Sequence, residues 1–188
     1  MVNSVTIIVG GVGTNSDYFK SYAKTYIWTH SCVVYELKPN VSLEDQALKI
    51  VNNISKYFTH HHVHCVGFSL GCMLLMKVLE TPSICDKVTF INPCHLALDR
   101  HYNKTKRWYK ILWKMPLCIQ KLYLMYYERY VEPNLEEPEY HMRNLLSKPF
   151  EHWDGIIQTI GHSMSWCELI KNCSFERRIK IIHGNKDR

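Results

Sequence analysis

The feature that most constrains this chain of 188 residues is a Gly-x-Ser-x-Gly pentapeptide centred on Ser69. An apolar run at residues 63–66 precedes it, and a helix-like apolar run at residues 72–80 follows it. This order predicts a buried strand, a sharp turn and a helix. Because the backbone folds back on itself at such a turn, Gly67 and Gly71 are expected where side chains would collide. The alternative is an ordinary strand-to-helix turn in which a serine caps the helix.

The rest of the sequence predicts strands that alternate with helices. Short runs rich in β-branched and aromatic residues read as buried parallel strands, at residues 5–9, 32–37, 87–93 and 178–182. Helical patterns fall at about residues 18–28 and 43–58, the latter with Ser42 as its N-cap. The fold class is therefore α/β, a three-layer parallel sheet of about five strands.

A glycine-rich turn at residues 10–13 follows the first predicted strand. It has neither the dinucleotide-binding glycine spacing nor the lysine of a phosphate-binding loop. Two interpretations stay open, a loop that brings the backbone close to a substrate and an ordinary connection between a strand and a helix.

The strand, turn and helix around Ser69 resemble the nucleophile elbow of the α/β-hydrolase family. The turn at residues 10–13 is similar to the oxyanion loop of that family, and His-Gly-x-x-Asp at residues 183–187 is similar to its acid-bearing turn. The resemblance covers most of the chain outside residues 96–176. It implies a serine hydrolase of the esterase or lipase type.

The resemblance also implies site residues. Ser69 would be the nucleophile and Asp187 the acid, and the N–H groups of Val12 and Leu70 would form the oxyanion hole. Gly11 would let the backbone approach the substrate. Serine rather than aspartate at the nucleophile position favours hydrolysis of an ester, thioester or amide. The resemblance to esterases and lipases implies an ester or thioester substrate that is lipid-like or otherwise acylated.

The general base is the open part of this interpretation. In the family the catalytic histidine follows the acid, whereas this sequence stops at Arg188. The resemblance therefore implies a core truncated after the acid-bearing turn, with an edge strand open to pairing or dimerisation. Either His95 or His162 is a candidate substitute base. The alternative function is a catalytically impaired or inactive hydrolase-fold protein that binds an acyl chain or a peptide.

Residues 96–176 are predicted to form a helical lid inserted into a core of residues 1–95 and 177–188. Within it, residues 100–121 carry seven lysines and arginines and no acidic residue, interleaved with aromatic residues. This pattern favours an amphipathic helix at an anionic membrane surface. The alternative is a solvated helix whose aromatic side chains pack on the core.

Composition bears on the partners, the compartment and the cofactors of the protein. The net charge is +6, but no basic run or nucleic-acid motif is present, so no nucleic-acid binding is expected. Eight scattered cysteines without a C-x-x-C pair indicate a reducing compartment, so we expect a cytoplasmic protein. The spacings of its cysteines and histidines match no usual set of zinc ligands, so we expect no metal site, and we expect no cofactor. No signal peptide or membrane span is apparent. The histidines at residues 60–64 are expected at the opposite end of the sheet from Ser69.

Overall fold

The computed structural model of the chain describes residues 3–14, 16, 19, 31–93, 97–131, 147–161 and 178–182. Of residues 97–105, 124, 125, 127–131 and 178, only the backbone is described. The elements in chain order are β1 (Ser4–Val9), β2 (Ser31–Tyr35), α1 (Leu43–Tyr57), β3 (His62–Phe68), α2 (Gly71–Val78), β4 (Lys87–Ile91), α3 (Ala97–Lys114), α4 (Leu117–Val131), α5 (Phe150–Gly161) and β5 (Arg178–Ile182).

The five strands form one parallel sheet in the order β2-β1-β3-β4-β5. The predicted α/β class and the parallel five-stranded sheet are confirmed. The strand predicted at residues 87–93 ends at Ile91, because Asn92 leaves the extended conformation with a φ of 44°. The predicted N-cap is also present, since the Asp45 N–H donates to the Ser42 hydroxyl at 3.0 Å.

The two faces of the sheet carry separate sets of buried side chains. Ile7, Cys65 and Phe90 belong to the larger core cluster, which also holds buried residues of α1, α2 and α5. On the other face Ile8 and Val66 pack with Phe19. Strand side chains alternate between faces, so a buried parallel sheet needs cover on both sides. The predicted helix at residues 18–28 lies largely outside the described residues.

The strand order reverses beside β1, and this reversal positions the site. Phe19, which follows β1, packs on one face of the sheet, whereas α2, which follows β3, packs on the other. The chain therefore diverges above the carboxyl ends of β1 and β3. Such a topological switch point leaves a crevice in which open α/β sheets bind ligands.

Helix α5 lies within the segment predicted to be a lid, yet it packs as a core helix. Trp153, Ile156 and Ile160 belong to the larger core cluster. A Cβ on Gly155 would come within 2.9 Å of the Pro39 Cβ, so α5 also rests against the segment that follows β2. The boundaries of a lid within residues 96–176, and hence the domain division, stay a prediction.

Helices α3 and α4 form a hairpin. The buried Gln120 side chain fixes it by donating from Nε2 to the carbonyl oxygens of Trp113 (3.0 Å) and Met115 (2.7 Å) at the end of α3. Within the described part of the chain, no helix combines the length and the apolar character needed to cross a bilayer.

Replacing Ile160 tests whether α5 is part of the core. Ile160 is fully buried, so we expect Ile160→Ala to lower the free energy of unfolding by about 2–5 kcal/mol in urea titrations. The control Gln158→Ala, at an exposed position of the same helix, should stay within about 0.5 kcal/mol of the parent. Equal, small effects of both variants would mean that α5 is not packed in the core.

Candidate functional site

Ser69 occupies a strained position at the carboxyl end of β3. Its φ is 50°, in the left-handed region that side chains other than glycine rarely adopt. The Ser69 N–H donates to the carbonyl oxygen of Ile91 at 2.9 Å, which ties the turn to the neighbouring strand β4. The side chain is half-buried. The hydroxyl thus stands on a sharp bend rather than within a helix.

The two glycines of the pentapeptide have a steric reason. A Cβ on Gly67 would lie 2.9 Å from the Cys72 Cα, so the backbone before the serine presses against the helix after it. A Cβ on Gly71 would collide with the carbonyl oxygens of Val9 and Gly10. Both obstacles are backbone atoms, which cannot swing aside. The spacing of the motif therefore follows from how closely β1, β3 and α2 approach one another.

The loop after β1 is in direct contact with the serine. A Cβ on Gly11 would lie 2.9 Å from the Ser69 Cβ and 3.6 Å from its Oγ. A hydrogen bond ties the loop to the end of β2, because the Gly10 N–H donates to the Tyr35 carbonyl oxygen at 3.0 Å. The Thr14 hydroxyl donates to the Gly11 carbonyl oxygen at 2.7 Å. Backbone amides of this loop are thereby fixed beside the Ser69 side chain.

Helix α2 begins at Gly71, two residues after the serine. Leu70 is the N-cap, it is fully buried, and its side chain makes no capping hydrogen bond. The serine therefore precedes the N-cap position and does not occupy it. The N-terminus of a helix presents unpaired N–H groups and a positive dipole end, which favour negative charge nearby.

The carboxyl ends of β3, β4 and β5 lie at one edge of the sheet. Phe68 pairs with Ile91 and Ile91 with Ile182, and the Asn92 N–H donates to the Ile182 carbonyl oxygen at 2.8 Å. The last described residue of β5, Ile182, therefore lies at the edge that carries Ser69.

Three predicted site residues lie outside the described residues: Asp187, His95 and His162. Their roles stay predictions. The other predicted site residues are described, and the structure brings together Gly11, Gly67, Ser69, Leu70 and Gly71, with Val12 half-buried in the adjoining loop.

Sequence reasoning missed residues that hold the site without touching its serine hydroxyl. Thr14 pins the loop after β1, and Asn92 turns the chain at the end of β4 with a positive φ. The sequence did contain a signal for the turn at Asn92, since asparagine tolerates a positive φ and a proline follows it. The sequence contained no signal for the role of Thr14, because a hydrogen bond from a threonine hydroxyl to a carbonyl three residues earlier has no sequence pattern of its own.

The described histidines of β3 and the turn before it do not serve the serine. His62 begins β3, and the His64 ring nitrogen lies 3.0 Å from the Thr89 hydroxyl in the same half of the sheet. Burial, and to a lesser degree Lys87, lowers the pKa of His64, so its imidazole is neutral at pH 7. Ser69 stands beyond the other end of this strand. Neither imidazole is therefore placed to act as its base.

The fold has counterparts among solved structures, although no protein-family model and no curated protein sequence matches the chain. An N-formylmaleamic acid deformylase from Pseudomonas putida S16 is 11% identical with a TM-score of 0.64, over 97% of this chain and 74% of that one. A serine hydrolase involved in carbazole degradation is 14% identical with a TM-score of 0.53, over 97% and 72%.

An α/β-hydrolase enzyme from a Medee basin deep-sea metagenome library is 10% identical with a TM-score of 0.52, over 97% of this chain and 81% of that one. At these identities the likeness concerns the fold alone. Together with the parallel sheet and its order, it identifies the chain as a protein of the α/β-hydrolase fold.

Proposed function

We propose that this chain is a serine hydrolase that cleaves an ester or thioester of a lipid-like acyl group. The observation that carries the proposal is the contact between the strained Ser69 and the backbone at Gly11. A serine that served only the turn would not need a side-chain-free loop held against its hydroxyl.

In the proposed reaction the Ser69 Oγ attacks the acyl carbonyl carbon, and its proton passes to a general base. The carbonyl oxygen becomes an oxyanion that accepts hydrogen bonds from the Val12 and Leu70 N–H groups. Collapse of this intermediate expels the alcohol or thiol, which takes the proton from the base. Water then attacks the acyl-serine by the same route and regenerates the hydroxyl.

Preorganisation supports the oxyanion assignment. The bonds from Thr14 and Gly10 fix the first loop, and the α2 helix fixes Leu70, so neither donor has to reorganise when charge develops. Preorganised donors of this kind contribute about 10²–10³-fold each to the rate of acyl transfer.

The base is assigned to His95 or His162, and its orienting carboxylate to Asp187. His95 comes four residues after the end of β4 in the sequence, and β4 ends at the edge of the sheet that carries Ser69, which favours His95 over His162. A base contributes about 10²–10⁴-fold. Without one, the same crevice would hold an acyl chain or peptide without cleaving it, and the protein would be a binding module.

A fluorophosphonate probe tests the nucleophile, because it reacts only with an activated serine. We expect the parent to be labelled at Ser69, with the label located by mass spectrometry, and Ser69→Ala to lose it. Ser83→Ala is a matched control, since Ser83 also has a positive φ but precedes β4 at the opposite edge. A parent that binds fatty acid yet takes no label would instead be the binding module.

The same assay separates the two candidate bases. The labelling rate should fall by about 10²-fold or more in only one of His95→Ala and His162→Ala. If both variants are labelled as fast as the parent, neither residue is the base.

Replacing Gly11 tests the loop. The added methyl group of Gly11→Ala would press on the Ser69 side chain, so we expect labelling to slow by about 10²-fold while the fold survives. Gly155→Ala is the control, because its Cβ would meet Pro39 at the same 2.9 Å, away from the serine. Parallel losses in both variants would point to general destabilisation, which thermal unfolding would reveal.

A further inference from the structure

Exposed apolar side chains are concentrated on the α3–α4 hairpin. Of the twelve large hydrophobic residues exposed in the described part of the chain, eight lie between residues 108 and 126: Trp108, Ile111, Met115, Leu117, Ile119, Leu122, Tyr123 and Tyr126. Single exposed apolar residues are ordinary, whereas a cluster of this size marks a surface that contacts something apolar.

Helix α3 has one face toward the protein and another toward solvent. Inward, the Trp113 ring lies 5.8 Å from the Phe150 ring, and its Nε1 donates to the Lys148 carbonyl oxygen at 3.3 Å. The Lys106 ammonium forms an ion pair with the Asp154 carboxylate at 2.9 Å. The aromatic residues of this segment are therefore divided, and only some of them pack on the core.

The outward face of α3 carries Trp108 and Ile111, and Met115, the residue directly after α3, continues the spacing of three and four. Trp108 is 73% exposed. On α4 the same spacing aligns Ile119 and Leu122. Both stripes are held in place, because the Gln120 hydrogen bonds fix the turn between the helices.

Basic residues flank these stripes. Exposed Arg107, Lys110 and Lys114 stand on α3 and exposed Lys121 on α4. From residue 100 to residue 127 the sequence contains no aspartate or glutamate. The charge is therefore of one sign, and lysine and arginine have long aliphatic stems that suit a position beside apolar surface while their charges stay in water.

The hairpin is attached near the edge of the sheet that carries Ser69. Its partner α5 lies against Pro39, which follows β2, through Gly155. Burial, and to a lesser degree Lys148, lowers the pKa of His152 in α5. The carboxylate of Glu36, the residue after β2, acts to raise it. The contact with Pro39 places α5 beside the carboxyl end of β2.

We propose that the α3–α4 hairpin docks on bilayers that contain anionic lipid. Trp108, Ile111 and Leu122 would enter the boundary between headgroups and acyl chains, and Lys110 and Lys121 would meet the lipid phosphates. This inference goes beyond the proposed hydrolysis and does not depend on it.

A bilayer fits these observations better than a second copy of the chain. Two copies joined through this surface would bring like charges together, since no acidic side chain is available between residues 100 and 127 to pair with the lysines. An anionic bilayer offers both apolar depth and opposite charge. Tryptophan and basic residues are the types enriched where proteins meet the headgroup region.

Vesicle flotation with the full chain tests the proposal and needs no turnover. We expect the chain to float with phosphatidylcholine vesicles that contain about a third phosphatidylserine, and several-fold less with phosphatidylcholine alone. Lys110→Glu should weaken binding by at least about fivefold, since each basic residue near such a surface contributes about that factor. Leu122→Ala should weaken it by about tenfold.

Matched variants on α1 control for general effects. Lys49→Glu makes the same charge change at an exposed lysine, and Leu48→Ala truncates a leucine that is 57% exposed, against 66% for Leu122. Both should bind like the parent. Absence of flotation with anionic vesicles, equal losses in the α1 and hairpin variants, or a dimer that Leu122→Ala abolishes would each overturn the proposal.

Discussion

The structure depends on the close approach of two backbones, the loop that leaves β1 and the first turn of α2. The carbonyl oxygens of Val9 and Gly10 occupy the space where any side chain at position 71 would stand. This contact lets α2 begin directly beneath the loop, so Ser69 must turn sharply between Phe68 and the helix, and its φ becomes positive. Strain of this kind costs about 1–3 kcal/mol, and it persists because the surrounding packing leaves no other path.

The topology gives this contact its chemical consequence. Because the strand order reverses beside β1, the carboxyl ends of β1 and β3 form a topological switch point, the place where open α/β sheets bind ligands. Gly11 and Ser69 contact each other at this point. In the proposed function, a reactive carbonyl held there would meet the Ser69 hydroxyl and the N–H groups of Val12 and Leu70, which is the arrangement that acyl transfer requires.

Much of this was predictable from local sequence, because its causes are local. The β-branched strands, the Ser42 cap and the glycines around Ser69 each leave a pattern within a few residues. The outcome was less predictable where partners are distant in sequence. Helix α5 packs on Pro39, more than a hundred residues earlier, and no periodicity distinguishes such a core helix from one in a lid. The sequence also does not distinguish Trp108 from Trp113. Both lie on α3, but Trp108 is exposed whereas Trp113 packs against the core.

The stability of Gly71→Ala tests the central contact most directly. At an ordinary helical glycine, alanine raises the free energy of unfolding by about 0.4–1 kcal/mol. Here the added methyl group meets two backbone carbonyl oxygens that cannot move aside, so we expect Gly71→Ala to lower the free energy of unfolding by about 2 kcal/mol or more in urea titrations. An unchanged or increased stability would show that β1 and α2 do not approach as described, and the strained serine would lose its structural cause.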